Sequence, residues 1–211
     1  GHGGSFFGAD GHALINDEKA YAAMEYMLAL GKYMAPGVTS WDWFGEADSF
    51  ARGEAGIMIS WNEYFPLFDD PAKSKIVGLA EPAPSPKAYH LRSADQCGFG
   101  EVPGMSHQGG SSLAISRYSQ HIDAAWVLVQ WATSADVTSR ACVLSGAGNH
   151  VRRSNFTDER VRKNAKVQTC TTRHFDVVQD AILHHMGTEP HLPGWTALAV
   201  DLFALELGKM T

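Results

Sequence analysis

The run AGIMISW, from Ala55 to Trp61, is apolar on both of the faces that an extended chain would present. Because a strand alternates its side chains between faces, such a run suits a strand covered on both sides, as in a sheet with helices packed against each face. The residues before it read as helical. From about Asp42, Phe44, Ala47 and Phe50 fall on one stripe, and Gly53 supplies the left-handed residue that stops a helix. A helix leading into a two-sided strand points to an α/β fold.

The rest of the chain is punctuated in the same style. Asn16 is a good N-cap, followed by Asp17 and Glu18 where a helix dipole favours negative charge, and Ala20, Met24, Met27 and Leu28 then share one side. After Trp61 the pattern predicts a helical turn through Tyr64 and Phe68, a short strand over Lys75 to Ala80, and a linker or crossing segment in EPAPSPKAYH, where prolines remove donors. Residues 92–108 read as loop and SSLAIS as a strand. His121 to Ala132 reads as an apolar helix with Trp126, Leu128 and Val129 as its core, and Thr133 with Asp136 as a capping-box start of the next. HVRRSNF reads as extended, and helices are expected around 158–167, 174–186 and 195–207. Trp126 and Trp131 are assigned to helix packing, as is Trp195.

Composition removes several classes of function. With 211 residues and 45% hydrophobic residues the chain can bury a core in one or two domains. A net charge of -6 with scattered Lys and Arg provides no basic stripe, so nucleic acid is not an expected partner. No apolar run reaches the roughly 18 residues of a membrane-spanning helix, and GHGGSFFGAD has no secretory-signal pattern. The opening Gly-His without Met reads as a fragment. Cys97, Cys142 and Cys170 contain no C-x-x-C pair, and no zinc site or other cofactor is expected. Cys142 and Cys170 could close one bridge in an oxidising compartment, with buried reduced thiols as the expected state.

The stretch SHQGGSSLAISR meets none of the catalytic templates. Neither Gly31-Lys32 nor Gly208-Lys209 has the upstream glycine of a P-loop, and Gly98-Phe99-Gly100 lacks the third glycine of a dinucleotide fingerprint. Leu113 stands where a nucleophile elbow needs glycine, and there is no S-x-x-K or H-E-x-x-H. His184 and His185 lie on adjacent, not shared, helix faces, which disfavours a metal site with His191. What remains is a glycine pair before a strand: either a tight turn or a backbone that approaches a ligand with its N–H groups exposed.

The order of motifs carries more than any one of them. FARGEAGIMISWNEYF, then SKIVGLAEPAPSPK, then GGSSLAISRYSQHIDAAWVLVQWATSADV, then GNHVRRSNF, together with GGSFFGADGHALINDEKA and PGWTALAVDL at the two ends, resembles the C-terminal half of the extracellular solute-binding proteins of ABC importers that take sugars and related polyols. One departure is His150-Val151-Arg152, where the family commonly has proline near the arginine. The resemblance implies a helix-rich α/β fold of the type II periplasmic-binding-protein kind, two lobes with the solute between them, and a periplasmic or extracellular location. It implies that 1–104 belongs to the C-terminal lobe, that 105–160 is the segment returning to the N-terminal lobe, and that 161–211 is the helical C-terminal part of the C-terminal lobe. The implied partners are a small sugar or polyol, the membrane subunits of the importer, and an N-terminal lobe outside this chain, with a swapped homodimer as another way to fill its place.

Sugars are held by aromatic rings against their C–H faces and by planar polar groups against their hydroxyls. Trp61, at the end of the expected strand, and Asn62 beside it are the first candidates. Gly109, Gly110 and Ser111 would lend backbone N–H groups and a hydroxyl. Arg152, with Arg153 an equal claimant, would clamp a hydroxyl or an anion. Trp43, with Trp41, would rim the cleft or pack. An enzyme of the glycoside hydrolase or esterase kind would need two carboxylates at a cleft or a Ser-His-Asp set, and the acids here fall in caps and first turns, as at Asp17, Glu18, Asp136 and Asp158. A module whose apolar surface binds another protein is the third reading.

Overall fold

In a computed structural model the described residues are 4–85, 104–107, 109–145, 150–164 and 172–209. In chain order their helices are α1 (Glu18–Leu30), α2 (Trp43–Ala51), α3 (Phe65–Phe68), α4 (Ile122–Ala132), α5 (Ala135–Leu144), α6 (Arg153–Thr157), α7 (Glu159–Asn164), α8 (Phe175–His184), α9 (Trp195–Ala197) and α10 (Ala204–Gly208), with two short strands, β1 (Ser106–His107) and β2 (Met186–Gly187). The chain divides into two compact units. One comprises Gly1–Pro36, Ser85–Gln108 and His184–Thr211, the other Gly37–Pro84 and Gly109–Leu183. The step from Pro84 to Ser85 falls within the expected proline-rich linker.

In the first unit α1 forms where expected, capped by Asp17 and not Asn16: Asp17 Oδ1 accepts the Ala20 N–H at 2.8 Å. A cap must reach the N–H three residues on, which fixes its position to a single residue. β1 pairs parallel to β2, Ser106 opposite Met186 and His107 opposite Gly187. This places a strand inside the expected loop 92–108, and it ends α8 at His184 because Met186 is taken into the ladder. The expected helix 195–207 is present, with a π-helical stretch Leu198–Phe203 between α9 and α10. Trp195 is buried as expected: Phe6 meets its ring edge-on at 4.9 Å and its Nε1–H donates to Glu189 Oε2 at 3.0 Å.

The second unit holds two apolar clusters. Ala47 and Ala51 of α2 pack with Tyr64, Phe65, Phe68 and Ala80, with Met58 and Ile76 against them. Asp42 Oδ1 caps α2 at the Gly45 N–H (2.9 Å), and Gly53 ends it at φ 77°, with a Cβ there lying only 3.3 Å from Ile76. The second cluster joins Cys142, Phe156, Val161 and Phe175. A buried ion pair braces the first: Arg173 meets Asp69 through both guanidinium nitrogens (2.6 and 2.7 Å), donates Nε–H to the Ala80 carbonyl at 2.9 Å, and lies over the Phe65 ring.

Several expected elements are corrected here. Among the described residues none of Ala55–Trp61, Lys75–Ala80 or SSLAIS pairs as a strand. Ile57 and Ile59 are 86% and 71% exposed while Met58 turns inward. Lys75 instead donates to the Ala51 carbonyl at the end of α2 at 2.8 Å, and Leu79 donates to Ile76 at 2.9 Å in a turn. A strand requires a neighbour to complete its ladder, and two-sided apolarity states that a segment wants cover without stating what covers it. The same reason applies to α4, where Trp126, Leu128 and Trp131 are exposed in place of the expected packing. Thr133 ends α4, and Ser134 is the cap of α5, accepting the Val137 N–H. HVRRSNF is helical from Arg153, because Asn155 accepts the Arg152 N–H at 2.9 Å and donates to the Thr138 and Ser139 hydroxyls at 3.2 and 3.1 Å, a buried tie to α5 that an extended segment would not make. Cys97 and Cys170, and with them the Cys142–Cys170 pairing, lie outside the described residues.

Candidate functional site

Three rings of the second unit gather at the start of α2 and the turn after Ile59. Trp43 is the first residue of α2, set by the Asp42 cap. Trp61 caps the 3₁₀ turn Asn62–Tyr64 in extended conformation, and Tyr64, three residues on, returns to the same side. Trp43 and Trp61 meet edge to face with centroids 5.4 Å apart, and Trp61 and Tyr64 are tilted at 6.3 Å. Phe44 closes the other edge of Tyr64 at 6.0 Å. The two tryptophans are 55% and 39% exposed, whereas Tyr64 is buried in the cluster below. Such a set offers flat, open faces on a fixed base, the arrangement that stacks on C–H surfaces.

Of the residues expected at a site, the structure brings Trp43, Trp61 and Asn62 together. Asn62 is half-buried in the turn, and its carbonyl accepts the Phe65 N–H. Gly109, Gly110 and Ser111 are exposed. A Cβ on Gly110 would meet nothing within 4 Å, so protein crowding does not account for glycine there. Arg152 is the N-cap residue of α6 and donates Nε–H to the Thr133 carbonyl in a short hydrogen bond, which bridges α6 to the end of α4. Trp41 packs beneath Gly45, 3.1 Å from where a Cβ would stand.

Tyr64 is the residue that reading the sequence missed. The W-N-E-Y spacing, with Trp61 and Tyr64 three apart, held the signal, since a helical turn places such residues side by side. Burial raises the Tyr64 phenol above its ordinary range, and the charges of Glu63, Asp42 and Glu46 raise it further, so the hydroxyl stays protonated at neutral pH. Burial also raises the Glu46 carboxyl. Just past α2, Glu54 is held down to about 2 by hydrogen bonds from Arg52 and Ser49, which pins the end of α2. No group of three or more metal-binding side chains occurs among the described residues, and no helix among them is long and apolar enough to cross a membrane.

The rings are thus held by the α2 cap and the 3₁₀ turn and left open on one side. The chain belongs to the bacterial extracellular solute-binding protein family, whose pattern its residues 1–139 match. It is 26% identical over 146 residues to a probable amino-acid ABC transporter periplasmic-binding protein of Sinorhizobium fredii, an alignment covering 69% of this chain and 30% of that one. Its fold is similar to that of an ABC transporter solute-binding protein from Agrobacterium radiobacter K84 crystallised with ribitol, at a TM-score of 0.78 and 24% identity, over 99% of this chain and 48% of the other. The expected periplasmic-binding-protein-like α/β fold is therefore present, and the chain spans about half the length of that structure and less of the curated relative.

Proposed function

We propose that this chain is part of a receptor that binds a small solute, a sugar or related polyol, and delivers it to the membrane subunits of an ABC importer. The observation that carries the reading is the open Trp43–Trp61 pair on the fixed Tyr64 base, which suits the C–H faces of a polyol. The family match and the likeness to a protein crystallised with ribitol support it. Trp61, Trp43 and Asn62 form the core of the proposed site, with Gly109, Gly110, Ser111 and Arg152 as its further contacts. The reading places the protein in the periplasm or outside the cell and assigns it binding without turnover.

The same proposal keeps the division into 1–104, 105–160 and 161–211. It assigns the exposed apolar side of α4, with Trp126, Val127 and Trp131, to contact with the other lobe of the receptor. The name of the Sinorhizobium relative gives amino acids as its solute, so amino acids form the comparison arm of the test. In the intact protein, melting temperature is followed against pentitols, hexitols, mono- and disaccharides, and the twenty amino acids. A rise with a polyol or sugar is expected. A rise with amino acids alone would replace this solute class.

A further inference from the structure

Building on the reading that the ring cluster takes the solute, we propose that Arg173 and His174, in the segment before α8, are positioning residues of that site. They hold Phe65, and through it the 3₁₀ turn that presents Trp61 and Tyr64. Within the turn the Tyr64 N–H donates to the Trp61 carbonyl at 3.3 Å and the Phe65 N–H donates to the Asn62 carbonyl. A single turn held by bonds of this kind is marginal alone, so the position of its rings depends on what anchors the residue after it.

Phe65 is that residue, and a distant part of the chain holds it. It is buried, the His174 ring stacks on it with centroids 4.4 Å apart and planes 22° from parallel, and the Arg173 guanidinium lies 4.7 Å from its centroid. Both groups are fixed in turn. Arg173 meets Asp69 at 2.6 and 2.7 Å and donates to the Ala80 carbonyl at 2.9 Å, while buried His174 also meets Phe175 edge to face at 4.9 Å. Asp69 is the C-cap residue of α3, so Arg173 touches both ends of that short helix, the Phe65 ring at its start and the Asp69 carboxylate just past its end. A buried ion pair typically stabilises a core no better than apolar residues of the same volume, whereas its hydrogen-bond geometry gives Phe65 one position. A preorganised ring site loses less freedom when a solute stacks on it, so affinity follows how well Phe65 is held.

The test uses the intact protein, with ribitol, sorbitol and maltose titrated calorimetrically into wild type, Trp61→Ala, His174→Ala, His174→Phe, Arg173→Lys and Val161→Ala. Val161 lies in the other apolar cluster, and its change lowers stability away from the clamp. For the probes that wild type binds, folded His174→Ala and Arg173→Lys should each weaken affinity about five- to tenfold, as the competent ring arrangement becomes only partly populated. His174→Phe keeps a ring on Phe65 and should restore affinity, and Val161→Ala should lower the melting temperature with affinity unchanged. Arg173→Lys keeps a charge opposite Asp69 and carries the test where His174→Ala does not fold. Fluorine NMR of protein labelled with 5-fluorotryptophan, the Trp61 signal assigned by its loss in Trp61→Ala, should show that signal shifted or broadened in both clamp variants without any solute. Full affinity and an unmoved Trp61 signal in the folded clamp variants, with Trp61→Ala unable to bind, would overturn the clamp while leaving the ring site standing. Affinity falling in step with melting temperature in every variant, Val161→Ala included, would overturn it too. Wild type binding none of the three probes, or Trp61→Ala binding as tightly as wild type, would remove the ring-site reading and this proposal with it.

Discussion

At the scale of single residues, the second unit depends on charges and rings that its core could not leave unpartnered. Asp69 is fully buried and meets Arg173 through two nitrogens, while the Gly78 N–H and the Ala80 carbonyl complete the pair. Removing one member strands a charge in the core, so Arg173→Met should cost about 3–5 kcal/mol in urea unfolding, and Asp69→Leu with Arg173→Met less than either change alone. His150 is the opposite case. It is buried, stacks on Phe156 at 4.3 Å, and among the described residues neither ring nitrogen has a hydrogen-bond partner. Burial, with the charges of His174 and Arg162, lowers it to about 4 from 6.5. Between those values the unfolded chain binds the extra proton, so the stabilisation is complete above the upper value and is lost as pH falls toward the lower, by about 3 kcal/mol. His150→Phe should flatten that part of the stability profile, which urea midpoints at pH 7 and near 4.5 would show. An unchanged slope would place the acid sensitivity elsewhere. Glu54 acts in a lower window, its contribution present above its ordinary range and lost toward about 2.

Elements were legible in the sequence where local chemistry decides them. α2 follows from Asp42 at its start, Ala47 on its inner face and Gly53 at its end, and each does what its residue type requires. Because Trp43 begins α2, Asp42→Ala should lower stability by about 1 kcal/mol and loosen the indole, whereas Asp42→Ser should restore the cap. Circular dichroism and the Trp43 emission would register both. α1 and the helix from Trp195 were legible for the same reason. The strands were not, since Ile57 and Leu113 announce apolar faces, but pairing depends on neighbours distant in sequence. α6 was missed because its cause, the tie from Asn155 to Thr138 and Ser139, spans sixteen residues or more and leaves no periodic trace. In the candidate site the tryptophans were visible by residue type, although the strand expected to place Trp61 did not form. Tyr64 and its carboxylates were not, because burial of a ring and the sign of a local field arise only after α2 and the 3₁₀ turn have folded together.

At the scale of the molecule, the family membership and the exposed apolar side chains give a consistent reading. Trp126, Val127 and Trp131 on α4 and Ile57 in the segment before Trp61 are large apolar groups left open, in a chain that spans 48% of the solute-binding protein it is similar to. Exposed apolar surface of this kind marks interaction sites, and in the proposed reading its partner is the other lobe. In the proposed reading the two exposed groups of tryptophans differ in role, Trp43 and Trp61 meeting the solute and Trp126 and Trp131 meeting protein. The direct test is tryptophan emission of the intact protein titrated with the polyol or sugar that raises its melting temperature, in wild type, Trp61→Ala and Trp126→Ala. The account predicts a saturable emission change in wild type, loss of both the change and the affinity in Trp61→Ala, and both retained in Trp126→Ala. Full affinity in Trp61→Ala would contradict a solute site at the Trp43–Trp61–Tyr64 cluster.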